Sequence, residues 1–337
     1  MRSFFLLCGV LLLDACSDDD SASDSAAAPP ATLAGEDGGG ITADGGPGNG
    51  NAGPDVAAIQ KHTSQMLTSF WENDTTVFQY AFSRNNNDGY GYTSGRIGFT
   101  TATGDAYQIV KCFDAAYTGA GNVMKKYEAP LAALYAKKMS TGMIQGDIST
   151  LDAVGNFPTD WKATVANPAT APAFEKCQDD RVDASYWVPA VALTKQWGLT
   201  TALARASFYD ATVVHGETNV KNLIKQANND IGNTAQVVPT GSLSLDKESE
   251  FLGKFLARRT VLMNSSGAWR GSIARGANYE QQRRNGNFEF DKDIVTNATA
   301  DVVFPGNGYS SRGYQACVIK PDGHVEGEPQ CTAPVSN

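Results

Sequence analysis

The chain has 337 residues, 42% of them hydrophobic, and 27 basic against 36 acidic side chains give a net charge of −9. That content suffices for one large domain or two smaller ones and excludes a wholly disordered or fibrous chain. Residues 1–55 hold nine of the acids and one base, a net of −8, so residues 56–337 sum to −1. Net charge speaks to solubility and steering, and no nucleic-acid partner is expected.

Met1–Arg2–Ser3 supplies a positive start, Phe4–Leu13 a ten-residue apolar run, and Leu13–Asp14–Ala15–Cys16 follows. The run is far short of the ~20 residues a spanning helix needs, and the pattern over 1–16 is that of a secretory signal. Its ending resembles a bacterial lipobox, in which Cys16 becomes the lipidated first residue. Asp14 stands where a small uncharged residue is usual, and plain secretion is the alternative. The expected membrane contact is through that anchor alone. Residues 17–55 contain nine glycines, four prolines, eight acids and no base. Such a segment buries too little apolar surface to offset its ordering entropy, and reads as a tether of roughly 35 Å reach. Residues 56–337 are left as a single domain, expected to be a monomer.

Val56, Ile59, Thr63, Met66, Leu67 and Phe70 recur at helical spacing, for a helix ending near Trp71–Glu72–Asn73. Val77–Phe82 reads as extended, Asn85–Gly89 as a turn cluster, and Tyr90–Ala102 as a short hairpin or bent strands. Helices are then expected at roughly 105–115, 130–139, 187–197, 200–215, 219–230, 247–264 and 277–284. The fold class is mostly α with a small antiparallel sheet near its start.

Beyond Cys16, Cys112, Cys177, Cys317 and Cys331 remain as an even set in an exported chain, which suggests two disulfides among three connectivities. The expected pairs are Cys112–Cys177 and Cys317–Cys331. With no CxxC spacing and only His62, His215 and His324 as imidazoles, neither a metal site nor a cofactor is expected.

Two helices carry a charge on an apolar stripe. Asp210 shares the face of Leu203, Ala206, Ser207, Val213 and Val214; Arg259 shares that of Leu252, Phe255, Leu256, Leu262 and Met263. Charges are rarely buried unless paired, so Asp210 and Arg259 are expected to face each other.

Residues 72–105 concentrate groups suited to chemistry. Glu72 falls about 160° from the centre of its helix's apolar face, and Asp88 lies in a turn entering the sheet. Two carboxylates in unequal surroundings are the minimum for glycoside hydrolysis. By themselves they are common in any helix end or turn.

The strings around them are more specific. Glu72–Asn73, Asp88–Gly–Tyr–Gly–Tyr92–Thr93–Ser–Gly–Arg–Ile–Gly98–Phe99 and Thr103–Gly104–Asp105 together resemble the N-terminal signature of glycoside hydrolase family 46, the chitosanases. Pro189–Val191, Phe208–Asp210 with His215–Gly216, Phe255–Arg259 and Gly286–Phe290 continue it in order. The resemblance implies a lysozyme-like, two-lobed helical domain with a substrate cleft. It implies inverting, endo-acting hydrolysis of chitosan, a β-1,4-linked glucosamine polymer. Glu72 would be the general acid, Asp88 the general base, and Thr93 the hydroxyl that helps hold the attacking water. Asp105 would bind a glucosamine amino group, helped by the Asp74 and Asp88 charges near the cleft. Among the nearby aromatics Trp71, Tyr80, Phe82 and Tyr92, which are either core residues or platforms for sugars, Tyr92 is the candidate substrate contact. Asp210, Arg259 and Arg275 would form an ion network behind the cleft, with His215 as a core or supporting residue. The segment between acid and base is two residues shorter than the family pattern, Tyr90 stands where Arg is common, and the region after Phe290 has no counterpart. A chitin or peptidoglycan hydrolase and a non-catalytic glycan-binding protein are the alternatives.

Overall fold

The computed structural model describes residues 55–332 apart from 74, 144–145, 233–240, 266–272, 297–316 and 328. The expected signal, Cys16, the tether up to residue 54 and Asp74 lie outside the described residues.

Helix α1 (Val56–Asn73) starts where the Asp55 carboxylate accepts the backbone N–H groups of Ala57 and Ala58, at 3.0 and 3.3 Å, a side-chain cap on otherwise unpaired donors. Three short strands follow, β1 (Ser83–Asn85), β2 (Tyr92–Ser94) and β3 (Phe99–Thr100), in an antiparallel sheet of that order. Arg84 pairs with Thr93, and Thr93 with Thr100.

The helices then sort into two groups. In the first, α2 (Asp105–Ala116) packs on α3 (Glu128–Thr141) and α6 (Ala171–Val182), while α5 (Phe157–Ala166) packs on α6 and β1, and the short α4 (Ser149–Asp152) on α3. Trp161 and Phe113 both meet Phe174 edge-on at the centre of this group. A π-helical turn at Asp183–Trp187 leads into the second group. Here α8 (Ala202–Asp230) packs against α1, α7 (Val188–Gln196), α9 (Leu245–Ser265) and α10 (Ile273–Arg284). One apolar core runs through both groups. The chain closes with β4 (Ile294–Val295), β5 (Cys317–Ile319), β6 (Val325–Gly327) and α11 (Pro329–Thr332), the strands again forming an antiparallel sheet.

The expected helices and the hairpin are present, and α8 is broken at Gly216, whose φ of 76° interrupts it between the two helices read from the sequence. Both expected disulfides form: Cys112–Cys177 joins α2 to α6, and Cys317–Cys331 closes the C-terminal segment. Three features differ, one of them the C-terminal sheet, which was not expected. Residues 77–82 form no strand: the Tyr80 and Phe82 amides bond back to Phe78 and Gln79, and Phe78 lies under the Arg96 guanidinium, 3.7 Å from the ring centroid. The aromatic content of that stretch serves packing, and β1 begins just after it. Helices α4, α5 and α6 were not expected. Helix α5 starts at Asn156, whose side chain accepts the Thr159 N–H, with a proline in its first turn; α6 likewise has a proline in its first turn.

Candidate active site

Glu72 stands one residue before the end of α1, and its carboxylate accepts a hydrogen bond from Arg275 Nη1 at 2.5 Å. Arg275, on α10, donates through Nε to both oxygens of Asp210 at 2.8 and 2.9 Å. Arg259 Nη2, on α9, reaches the same carboxylate at 2.6 Å, and Thr68, one turn before Glu72 on α1, donates to it at 3.0 Å. The chain Glu72–Arg275–Asp210–Arg259 thus runs from a side chain 13% exposed to two that are fully buried. The facing of Asp210 and Arg259 inferred from helical phase is observed, and Arg275 completes the alternation of charges. Burial alone would raise the Asp210 pKa, but the two guanidinium groups more than offset it and hold the carboxyl below its ordinary value. Arg275 is raised despite its burial, because Asp210 and Glu72 both favour its charge.

His215 closes the chain. Arg259 Nε donates to its Nε2 at 3.3 Å, so that ring nitrogen carries no proton. Burial, then the nearby Arg259 and Arg275 charges, push its pKa down to about 2. A neutral imidazole held this way supports the arginine.

Asp88 lies in the turn after β1, where one carboxylate oxygen accepts the Tyr90 N–H at 2.9 Å in a local Asx-type turn. Thr93 lies on β2, and its hydroxyl oxygen accepts from Asn86 Nδ2 at 3.0 Å. Arg84 Nε donates to Asn86 Oδ1 at 2.6 Å, which fixes the amide's orientation. With its oxygen engaged as acceptor, the Thr93 hydroxyl retains its hydrogen to donate elsewhere. Arg84 and Asn86 were missed in the sequence, although Arg84 directly faces Thr93 across the sheet.

The Asp88 turn is held from outside by backbone contact. A Cβ on Gly146 would come within 2.1 Å of the Gly89 carbonyl oxygen and 2.9 Å of the Gly91 nitrogen. Both are main-chain atoms that cannot swing aside, so only glycine fits at 146 without displacing the turn. Gly91 has φ 76°, and a Cβ there would meet Thr101 Oγ1 at 2.3 Å, the atom that accepts the Tyr92 N–H.

Asp105 opens α2. It accepts from the Thr103 hydroxyl through Oδ2 at 2.7 Å, and from Arg181 Nε and Nη2 through Oδ1 at 3.0 and 2.7 Å. The Thr103 hydroxyl also meets that of Thr100 at 2.8 Å, which ties Asp105 to the strand facing Thr93. The Arg181 partner, on α6, was not anticipated. Tyr92 is corrected: its ring is 8% exposed and stacked on Phe157, and its hydroxyl donates to Asp152 at 2.6 Å. Burial, with that hydrogen bond, pushes its pKa up to about 12. It is a core residue that anchors β2 and offers no stacking surface to a sugar.

The structure therefore joins Glu72 to Asp210, Arg259 and Arg275 in one chain, and Asp88, Thr93 and Asp105 in the hairpin and its exit. The helix end and the hairpin meet where Asn73 Nδ2 donates to the Arg96 carbonyl at 3.3 Å. Among the described residues no three His, Cys, Asp or Glu side chains gather as metal ligands, and no helix is long and apolar enough to cross a membrane.

Comparison with known proteins places this arrangement. The glycosyl hydrolase family 46 profile matches residues 66–294, a span that contains every one of these residues. A chitosanase of Bacillus subtilis (strain 168) is 37% identical over 226 residues, covering 64% of this chain and 74% of that protein. A chitosanase of Streptomyces sp. (strain N174) is 34% identical over 162 residues, 48% of this chain and 52% of that protein. Among solved structures, a glutamate-to-alanine variant of a chitosanase from Bacillus subtilis MY002, complexed with 6 GlcN, superposes with a TM-score of 0.59 at 31% identity. It covers 78% of this chain and 98% of that one. A profile match over most of the chain, a relative more than one-third identical and a shared fold have one reading: the chain belongs to glycosyl hydrolase family 46.

Proposed function

We propose that this hydrolase cuts the β-1,4 bonds between glucosamine units within chitosan, with inversion at the anomeric carbon. The observation that carries the reading is the charged chain behind Glu72. A carboxyl at a helix end is ordinary, but one gripped by a buried arginine whose other contacts are a fully buried aspartate is held in a single place. Positioning of that kind is what proton transfer requires. Glu72 gives its proton to the departing glycosidic oxygen. Asp88 takes one from a water on the opposite face of the sugar, and the Thr93 hydroxyl helps hold that water. Asp105 receives a substrate amine, which shares the carboxylate with Arg181 and Thr103. The chitosanase name of the relatives and the glucosamine oligomer in the MY002 complex support the substrate class.

The test is incubation of the purified protein with highly deacetylated chitosan, following viscosity, product size and anomeric configuration. An endo-acting inverting enzyme lowers viscosity early, and its first products are α-anomers, because water attacks the face opposite a β-linked leaving group. Early β-anomers would reject inversion. An intact polymer would reject the substrate.

The finer expectations on location and assembly belong to the same proposal. Residues 1–16 direct export, Cys16 carries a lipid, residues 17–55 tether the domain, and the enzyme acts as a monomer at the cell surface. Metabolic palmitate labelling that is lost in Cys16→Ser checks the anchor; an unlabelled wild-type protein refutes it.

A further inference from the structure

The family profile ends at residue 294, yet the chain continues into a second sheet that returns to the acid-bearing helix. Strand β5 pairs with both β4 and β6, and Cys317–Cys331 closes the segment. Both half-cystines are fully buried, packed with Phe70, which is 1% exposed, and with Trp71 and Val325 at the edge of the same cluster. Phe70 and Trp71 are the two residues immediately before Glu72. Just beyond Glu72, the Thr76 hydroxyl donates to the Cys331 carbonyl oxygen. At its other end, the β5–β6 turn faces the first turns of α1, where a Cβ on Gly323 would meet Ile59 and His62 at 3.9 Å. The same sheet also holds the helix of Glu72's partner: Asn278 Nδ2, on α10 one turn after Arg275, donates to the Val295 carbonyl at 2.7 Å.

Taken together, the C-terminal segment holds the chain on both sides of Glu72, at Phe70 and Trp71 on α1 and at Thr76 just past its end, and holds α10 near Arg275. These are the two elements whose separation sets the Glu72–Arg275 contact. We propose that this disulfide-closed segment is a positioning strap for the acid, with Thr76 and the Cys317–Cys331 bridge as its points of purchase. Its role rests on the assignment of Glu72 as general acid. The strap acts by holding the end of α1 in the register that proton transfer needs, and a displacement of about 1 Å there is enough to slow turnover severely.

The test uses the whole protein. The paired variant Cys317→Ser/Cys331→Ser removes the bridge, Thr76→Val removes the hydroxyl, and Thr76→Ser keeps it. Each is assayed on chitosan oligomers well below its melting temperature, with native packing checked by near-UV circular dichroism. The cysteine pair is expected to lower kcat about tenfold and Thr76→Val about threefold, both with KM within twofold of wild type. Thr76→Ser is expected to stay close to wild type. A merely structural strap would lower the melting temperature and leave kcat unchanged, or lower kcat only in proportion to lost native signal; either result overturns the proposal. Glu72→Gln, assayed in parallel, separates the two readings. If it is inactive while the strap variants keep their kcat, the strap alone falls; if it retains turnover, the acid assignment falls and takes the strap's role with it.

Discussion

Glu72→Gln is expected to lower turnover on chitosan by about 10²-fold or more, the range assigned to a positioned proton-transfer group. The substitution is close to isosteric, and the amide oxygen can still accept from Arg275 Nη1, which now donates to Glu72 at 2.5 Å. The fold and the arginine's position are therefore retained, while the proton that would pass to the leaving oxygen is not. Asp88→Asn is the matched change at the other carboxylate. Its amide oxygen can keep the Asx turn to the Tyr90 N–H, so the loop holds its shape and only the base is lost. Reducing-end release under saturating substrate measures both. Near wild-type kcat in either would remove that residue from the chemistry.

Arg275→Leu has the second large effect, and it falls on stability as well as rate. Arg275 is 2% exposed and touches both Glu72 and Asp210. Removing one member of a buried ion pair leaves a charge uncompensated at a cost of about 3–5 kcal/mol. Asp210 keeps Arg259 and Thr68, which places the loss toward the lower end of that range. At roughly 2–4 °C per kcal/mol, the melting temperature should drop by about 10 °C, and kcat should fall because Glu72 has lost its anchor. An unchanged melting temperature would show that the chain of charges is not the support described.

The pH dependence has a definite sign. Burial alone would raise the Asp210 pKa, but Arg275 and Arg259 hold the native carboxyl below 3.8. The stabilisation is complete above the unfolded value near ~4 and is lost as the pH falls from there through the native value. With one guanidinium gone the native pKa rises, the stabilisation shrinks, and acid unfolding of Arg275→Leu should begin at a higher pH than in the wild type.

What could be read in the chain beforehand followed from local physics. The run from Val56 to Phe70 has helical spacing, and the structure gives α1 there, with Thr63, Met66, Leu67 and Phe70 of the expected stripe buried and Val56 exposed. Asp210 and Arg259 were legible as a pair because a charge on an apolar stripe has few alternatives to a partner. Helices α5 and α6 were not legible. Each carries a proline in its first turn, which reads as a breaker unless recognised as an N-terminal position, and α6 is rich in charge with little apolar stripe. Asn156 followed by Phe157–Pro158 was the overlooked signal. Residues 77–82 misled for the opposite reason: Phe78 and Tyr80 suggest a strand, but both rings pack around Arg96.

Within the site, the identities of Glu72, Asp88, Thr93 and Asp105 stood out through their strings. Arg275, 203 positions from Glu72, was named only through the family resemblance, and Arg181, 76 positions from Asp105, was not named at all. No spacing rule reaches across such intervals. Tyr92 shows the converse: an aromatic beside the candidate site looks like a sugar platform until its burial against Phe157 is known.

The contact between Asp105 and Arg181 bears on how a polycationic sugar chain would be recognised. A carboxylate already balanced by a guanidinium exerts little pull at a distance, so Asp105, as the proposed amine site, would select by stereochemistry: an incoming ammonium would be admitted only along directions that Arg181 and Thr103 leave unblocked. Discrimination at that point would then survive in brine, where long-range attraction between polymer and protein fades.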